Sequence, residues 1–401
     1  MSPSPLMPVE EAIARLLAMA DTCRLHDSEQ VPLSTARQRV LASDLVAALD
    51  LPPWSNSAMD GYALNVADWN GQPLPVSQRI LAGQAPETLL PGTCARIFTG
   101  APLPEGADSV EMQENVRVLD DGRIDFQQPV RVAQNVRAQG QENRAGQVLL
   151  RAGKRLGPSE LAVAAAQGCT HVHVVRQPRI ALLSTGDELV EPGMPLGPGC
   201  IYNSNRTLLS HWLGALGCAV IDAGSLPDQP EQTRLKLEQL QQDADLILTT
   251  GGVSAGEADC LGQVLRQSSE PVLWKLSIKP GKPLTVGRFG TVPVIGLPGN
   301  PTSALVTFGL LARPFLLRLQ GVEAVTPLSF SISAGFAWPR AGTRREYLRA
   351  RLDEGHAVLY PNQSSGVLLG ASWADGLVEI PEGCTLAMGD AVRFIPFSEL
   401  F

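Results

Sequence analysis

DADLILTTGGVSAGEAD, residues 243–259, decides how this chain folds. A short apolar run, Leu246 to Leu248, has the length of a strand buried in a parallel sheet and breaks abruptly into Thr249, Thr250, Gly251 and Gly252. In open α/β sheets ligands sit outside the carboxyl ends of strands, and paired glycines let the backbone approach an anion closely. Residues 249–254, ending at Ser254, are therefore a candidate phosphate cradle, and the competing reading is an ordinary strand-to-helix turn. Asp259 opens the next helical segment, where a carboxylate either favours the helix dipole or holds a divalent ion.

Two later stretches bear on that choice. SIKPGKP, residues 277–283, sets Lys279 and Lys282 around a Pro-Gly turn, with Lys275 just before. GLPGNPTS, residues 296–303, leads into a long apolar helix, with Asn300 as expected N-cap and Pro301 at the first helical position, so that unpaired N–H groups open beside Gly299. Taken singly, these are a solvated turn and a well-made helix start. All three lie where a strand gives way to a loop, which would bring them to one edge of one sheet.

The 401 residues suit two to four domains. A formal net charge of −8, with no basic tail or stripe, argues against broad nucleic-acid binding, so any anionic ligand must be held by a local cluster. Seven cysteines never approach C-x-x-C spacing, which indicates neither a zinc nor an iron–sulfur site, and their odd number does not suggest a disulfide framework. The expectation is a reducing cytoplasm, with no signal peptide at MSPSPLMPVEEA and no apolar run of bilayer-spanning length.

Taken in order, residues 8–20 carry apolar side chains at helical spacing, and a second helical patch is expected over 34–45. The loop that follows contains Asp60, whose plain reading is a turn aspartate before Gly61. Short apolar runs at 75–82, 93–98, 109–113 and 123–126 alternate with Gly and Pro, as in a small β-rich domain, and Thr99 follows one of them. Ser159 is a plausible N-cap for an Ala-rich helix ending at Gly168. After Pro178, strands at 180–183, 218–223, 246–250, 272–286 and 291–296 alternate with helices at 203–216 and 230–242, the signature of a doubly wound parallel sheet. Asp187 and Glu188 leave one strand as Gly251 and Gly252 leave another, so both loops face one crevice. Beyond Pro327 the alternating runs imply an all-β terminal domain, whose turns carry Arg344, Arg345, Gln363, Ser364 and Ser365.

The expected architecture is multidomain α/β plus β. Residues 1–44 and 140–177 form a discontinuous helical or mixed N-terminal domain, 45–139 a β-rich insertion, 178–326 the central α/β domain and 327–401 a β-barrel-like C-terminal domain.

SAMDGYA (57–63), FTGAPLP (98–104), STGDEL (184–189), TTGGVSAGEAD (249–259), KPGKP (279–283) and GLPGNPTS (296–303) together resemble one family, the MoeA molybdopterin molybdenumtransferases related to the gephyrin E domain. The resemblance spans essentially the whole chain. It implies an elongated four-part subunit that forms a homodimer, and a reaction in which molybdate is inserted into adenylated molybdopterin with Mg²⁺, releasing AMP, the final step of molybdenum cofactor biosynthesis. It also suggests the molybdopterin adenylyltransferase and molybdoenzyme maturation factors as further partners.

Under that resemblance the pyrophosphate of the substrate would be met by Gly251, Gly252, Ser254, Lys279, Lys282 and the Pro298, Gly299, Asn300, Pro301 turn. Asp187, Glu188 and Asp259 would be hard oxygen ligands for Mg²⁺. Lys275, Lys279, Pro280, Arg345 and Ser365 are the candidates for holding molybdate, and Asp60 and Thr99 are implied to reach the neighbouring subunit's crevice. The family commonly has Gly-Glu-Asp after the arginine at 137 and Val and Tyr at the positions of Ala255 and Cys260; this chain has Gly140-Gln141-Glu142, which leaves the role of that carboxylate open. Two rival readings stand beside this one: an adenylyltransferase with the same central domain, and a scaffold that keeps the motifs for binding alone.

Overall fold

The computed structural model describes residues 6–252, 260–268 and 272–401. The chain divides into two compact units: one of Ser43–Ala152 with Pro158–Thr170, the other of the remaining segments up to Phe401.

In the smaller unit, strands Val76–Ile80, Cys94–Ile97, Gly61–Leu64 and Ser109–Met112 form one sheet in that order. Ala63, Ile80, Ala95, Ile97 and Val110 turn to one face and make a core with Leu89 and Ala101. Gly61 is required by close approach, because a Cβ there would stand 1.9 Å from the Glu111 carbonyl oxygen. The helix Pro158–Ala166 belongs to this unit, and Gln167 after it accepts from the N–H groups of Ala48 and Leu49 at 2.9 and 3.2 Å.

The larger unit starts with the helix Val9–Asp21, which buries Val9, Ala12, Leu16 and Ala20 against the Arg313–Leu319 helix. Strand Ser28–Pro32 pairs antiparallel with His171–Val175. The helix expected over 34–45 does not form. After a single 3-10 turn at Leu33–Thr35, Gln38 takes φ 68° and the backbone bridges instead to Leu156 and Arg155.

The central sheet has six strands in the order Ala219–Leu226, Arg179–Thr185, Leu246–Thr250, Val292–Leu297, Pro283–Phe289, Val272–Lys275. Its first four strands are mutually parallel and the last two pairings are antiparallel, because Pro283–Phe289 alone runs against the rest, so the wound sheet expected from sequence has antiparallel pairing at one side. All five residues of Leu246–Thr250 are buried, as a strand covered on both faces requires. Leu248 joins the larger core cluster and Ile247 the smaller, one on each face.

From the end of Val292–Leu297 a helical run, Pro301–Leu319, passes through the core with a π segment at Phe308–Ala312. By length and composition alone it passes for a membrane span, as a buried core helix also does. Its burial explains the apolarity: 94% of the apolar window is buried within the protein.

The C-terminal strands Arg345–Asp353, His356–Leu359, Phe330–Ala334, Ala391–Pro396 and Gly376–Ile380 close on themselves, since the last also pairs with the first. This is a β-barrel filled by Leu348, Val378, Ile380, Val392 and Phe394. The segment Ile278–Lys279 adds to it in parallel, with Ile278 opposite Arg345 and Lys279 opposite Glu346.

Candidate functional site

A cleft of about 860 Å³ lies where the carboxyl ends of the parallel strands meet the barrel. The loop after Arg179–Thr185 brings Gly186 and Glu188 to it, and the loop after Leu246–Thr250 brings Gly251 and Gly252. These two glycines have φ of 90° and 63°. A Cβ on Gly251 would lie 2.1 Å from the Thr185 carbonyl oxygen, and one on Gly252 2.5 Å from Thr185 Oγ1, so side chains are excluded by both conformation and space.

The third loop carries Pro298, Gly299 and Asn300 into the same cleft. Asn300 holds the N-cap backbone position, and its carbonyl accepts from the Ala304 N–H at 2.9 Å, yet its side chain makes no capping hydrogen bond. The sequence expectation of a side-chain cap is thus corrected. Thr302 N–H is also occupied, donating to the Ser365 carbonyl at 2.9 Å, so the helix end offers fewer free donors than the sequence suggests. Asn205, which sequence reasoning missed, donates from Nδ2 to Thr250 Oγ1 at 3.0 Å and to the Gly299 carbonyl at 2.7 Å. It ties the glycine loop to the Gly299–Asn300 turn.

Lys279, Pro280, Gly281 and Lys282 line the cleft between these loops and the barrel. The Leu276 N–H donates to the Lys282 carbonyl at 2.8 Å and closes the lysine loop. Lys275, at the end of its edge strand, is exposed and is not part of the cleft lining. Arg345 is not part of it either. Its guanidinium is engaged by Glu10 and lies 3.3 Å from Glu379 and 3.4 Å from Glu382, whereas the adjacent Arg344 lines the cleft and donates to the Ile278 carbonyl at 3.2 Å.

Gln363, Ser364 and Ser365 complete the barrel side, held by a residue no sequence signal pointed to. Arg349 is fully buried. It donates to Thr302 Oγ1 at 3.1 Å, to the carbonyls of Asn362 and Ser364 at 2.9 and 3.1 Å, and to that of Val367. Burial lowers its pKa.

Asp228 is the second residue that sequence reasoning missed. It lines the cleft beside Glu188, its N–H donates to Asp187 Oδ1 at 3.1 Å, and its own buried Oδ1 has no partner. Burial raises its pKa, and the charges of Asp187 and Glu188 raise it further. Among the described residues no three His, Cys, Asp or Glu side chains form a metal cage. Mg²⁺ is commonly held by one or two carboxylates together with substrate phosphates, so the orphaned Asp228 oxygen near the charges of Asp187 and Glu188 fits such an ion. Ser254 and Asp259 lie outside the described residues.

In the smaller unit, Asp60 Oδ1 accepts from Thr99 N–H at 2.8 Å and from Thr99 Oγ1 at 2.9 Å. These two donors hold the Asp60 carboxyl below the usual range. At the turn where this chain departs from the family pattern, Gln141 Oε1 accepts from the Ala138 N–H at 3.1 Å and Glu142 is exposed.

Three family descriptions match along the chain: MoeA N-terminal region (domain I and II) over 7–168, probable molybdopterin binding domain over 181–318, and MoeA C-terminal region (domain IV) over 331–397. The chain belongs to the MoeA family. A molybdopterin molybdenumtransferase of Haemophilus influenzae is 40% identical over 325 residues, covering 80% of each chain. Molybdopterin molybdenumtransferase 2 of Mycobacterium tuberculosis is 38% identical, covering 88% of this chain and 90% of its own. A crystal structure of the molybdopterin biosynthesis MoeA protein of Pyrococcus horikoshii superposes with a TM-score of 0.84 at 28% identity, over 98% of this chain and all of that one. The multidomain fold with a wound α/β domain and a C-terminal barrel is that of MoeA proteins.

Proposed function

We propose that this chain is a molybdopterin molybdenumtransferase that inserts molybdate into adenylated molybdopterin and releases AMP. The observation that carries this is the convergence on one cleft of a main-chain glycine cradle, the carboxylates of Glu188 and Asp228, and the cations Lys279, Lys282 and Arg344.

The Gly251–Gly252 loop and the Asn300 turn line the cleft and receive the pyrophosphate, since neither glycine carries a side chain to keep phosphate oxygens from the main chain. Lys279, Lys282, Arg344 and Ser365 form the wall for the tetrahedral oxyanion. Asp187, Glu188, Asp228 and the Asp259 position are the carboxylates of which one or two would hold Mg²⁺ together with the substrate phosphates; when bound, the ion would neutralise pyrophosphate charge and polarise phosphorus. No protein thiol is needed, because the dithiolene sulfurs come with the substrate.

Asp60 and Thr99 serve the crevice of a second copy, which makes the active species a homodimer in the cytoplasm. The name shared by the relatives and the closed barrel beside the α/β domain favour this reading over an adenylyltransferase, which needs a single α/β domain.

Incubation of the purified protein with adenylated molybdopterin, molybdate and Mg²⁺ should release AMP, and chromatographic AMP measurement should show dependence on molybdate. Adenylation of molybdopterin by ATP without a partner would replace this reading with the adenylyltransferase one. For the dimer, mixing Asp60→Ala and Asp228→Ala chains should restore activity in the heterodimer. A heterodimer that forms and stays inactive would end the shared-site reading.

A further inference from the structure

Within a wall read as receiving an anion, one group has the wrong sign. Glu346 lines the cleft and is 5% exposed, and its Oε2 lies 2.9 Å from Lys279 Nζ. The contact is an ion pair without hydrogen-bond alignment, for that buried Oε2 receives no directed donor. Beyond Lys279, the adjacent cations are engaged elsewhere: Arg345 by Glu10, Glu379 and Glu382, and Arg344 with a main-chain carbonyl. Strand pairing fixes the arrangement, since Lys279 and Glu346 are register partners in adjacent parallel strands. Room for the carboxylate exists because position 342 is glycine, where a Cβ would lie 2.6 Å from Glu346 Oε1.

A buried, poorly hydrogen-bonded carboxylate destabilises a fold relative to a neutral side chain of the same size, so packing alone does not account for it. Its effect on the cleft is direct. A negative charge 2.9 Å from Lys279 Nζ in the same cleft lining opposes any anion that Lys279 attracts.

We infer that Glu346 is a specificity-determining residue that weakens the lysine wall toward lone oxyanions, so that sulfate and phosphate do not fill the cleft before the larger nucleotide-bearing ligand arrives. This rests on reading Lys279 and Arg344 as the oxyanion wall. In the filled cleft the additional contacts of the larger ligand, at the glycine cradle and the Asn300 turn, supply the affinity that the wall lacks by itself.

The test uses the full-length protein and equilibrium dialysis with radiolabelled sulfate and molybdate. Glu346→Gln keeps the size of the side chain and an acceptor for Lys279 while removing the charge. It should bind both anions about tenfold more tightly than the parent, as expected for loss of one like charge a few ångströms away. Glu346→Asp, which keeps the charge, should stay within about twofold of the parent. Adding Lys279→Met to the Gln variant should cancel the gain. If the Gln variant does not fold, Glu346→Met repeats the measurement with an uncharged side chain of similar volume. A purely structural Glu346 would shift the melting temperature and leave anion affinity within twofold of the parent, and that result overturns the inference. If neither parent nor uncharged variant binds either anion at millimolar concentration, it is the oxyanion-wall reading that fails, and the inference falls with it.

Discussion

One wall of the cleft, at Gly186, Gly251, Gly252 and Gly299, is main chain, whereas the other, at Arg344, Glu346, Gln363 and Ser365, is side chain. The first is positioned by strand ends, so its geometry follows from the parallel register of Arg179–Thr185, Leu246–Thr250 and Val292–Leu297. The second is positioned by a buried guanidinium that gathers three carbonyls and a hydroxyl from the 360–367 loop and Thr302. A main-chain wall has no side chain to trim or exchange, so it tolerates no added atoms. A side-chain wall can be adjusted one donor at a time, which suits the end of a site where one small anion must be told from another.

That difference can be broken experimentally, beginning where the largest loss is expected. Asp228→Asn removes the carboxylate that faces Asp187 and Glu188, and AMP release should fall about 100-fold or more with the fold retained by circular dichroism. Unchanged turnover would remove Asp228 from the site. Gly251→Ala should follow closely, because its Cβ would collide with the Thr185 carbonyl, and a loss of about 3 kcal/mol in chemical denaturation should accompany inactivity. If this variant is stable and active, the main-chain wall is looser than its φ values imply.

Arg349→Ala sharpens the contrast. It leaves four acceptors without their donor and should lower stability by about 2–3 kcal/mol in the same denaturation assay. It should also raise the KM for molybdate while leaving nucleotide binding near the parent value. Equal damage at both ends of the cleft would show that the two walls are not independent.

The smallest effect is expected far from both walls, at the start of the central strand. Burial pushes the Asp245 carboxyl up, but the paired contacts of Arg176 at 2.7 and 2.9 Å and the Arg179 N–H at 2.7 Å outweigh it, leaving the group below its ordinary value. A depressed carboxyl stabilises the fold above its unfolded pKa, and that contribution is lost as pH falls through the folded one. Asp245→Asn should therefore melt at lower temperature than the parent at pH 7, with the gap closing below about pH 4, and with AMP release at neutral pH unchanged. A gap that persists in acid would place the effect in packing instead of charge.

What could be read from the sequence was whatever depends on a few adjacent residues. Leu246–Thr250 ends where the apolar run ends, and the paired glycines lie where a strand must turn under a neighbouring carbonyl. Asp228, Asn205 and Arg349 carried no such mark, because each acts on residues 40 or more positions away or on a loop whose path only the barrel defines. Arg344 and Arg345 show the limit most plainly. Adjacent residues entering a strand point to opposite sides, and the phase of that alternation is set by pairing with Ile278–Lys279, which local sequence does not contain. Residues 34–45 failed for a related reason: their apolar spacing suits a helix, but the long-range bridges of Val40 to Arg155 and Leu41 to Val174 take the backbone elsewhere.

The two-residue pairing of Ile278–Lys279 with Arg345–Glu346 has a bearing on how this protein can be re-engineered. A chimera joined in the linker near residue 327 would import a foreign barrel and, with it, a foreign partner for the lysine loop. Donor barrels should accordingly be chosen by how their first strand docks on that loop, since a splice that keeps both domains intact but shifts this seam by one residue would turn Lys279 out of the cleft.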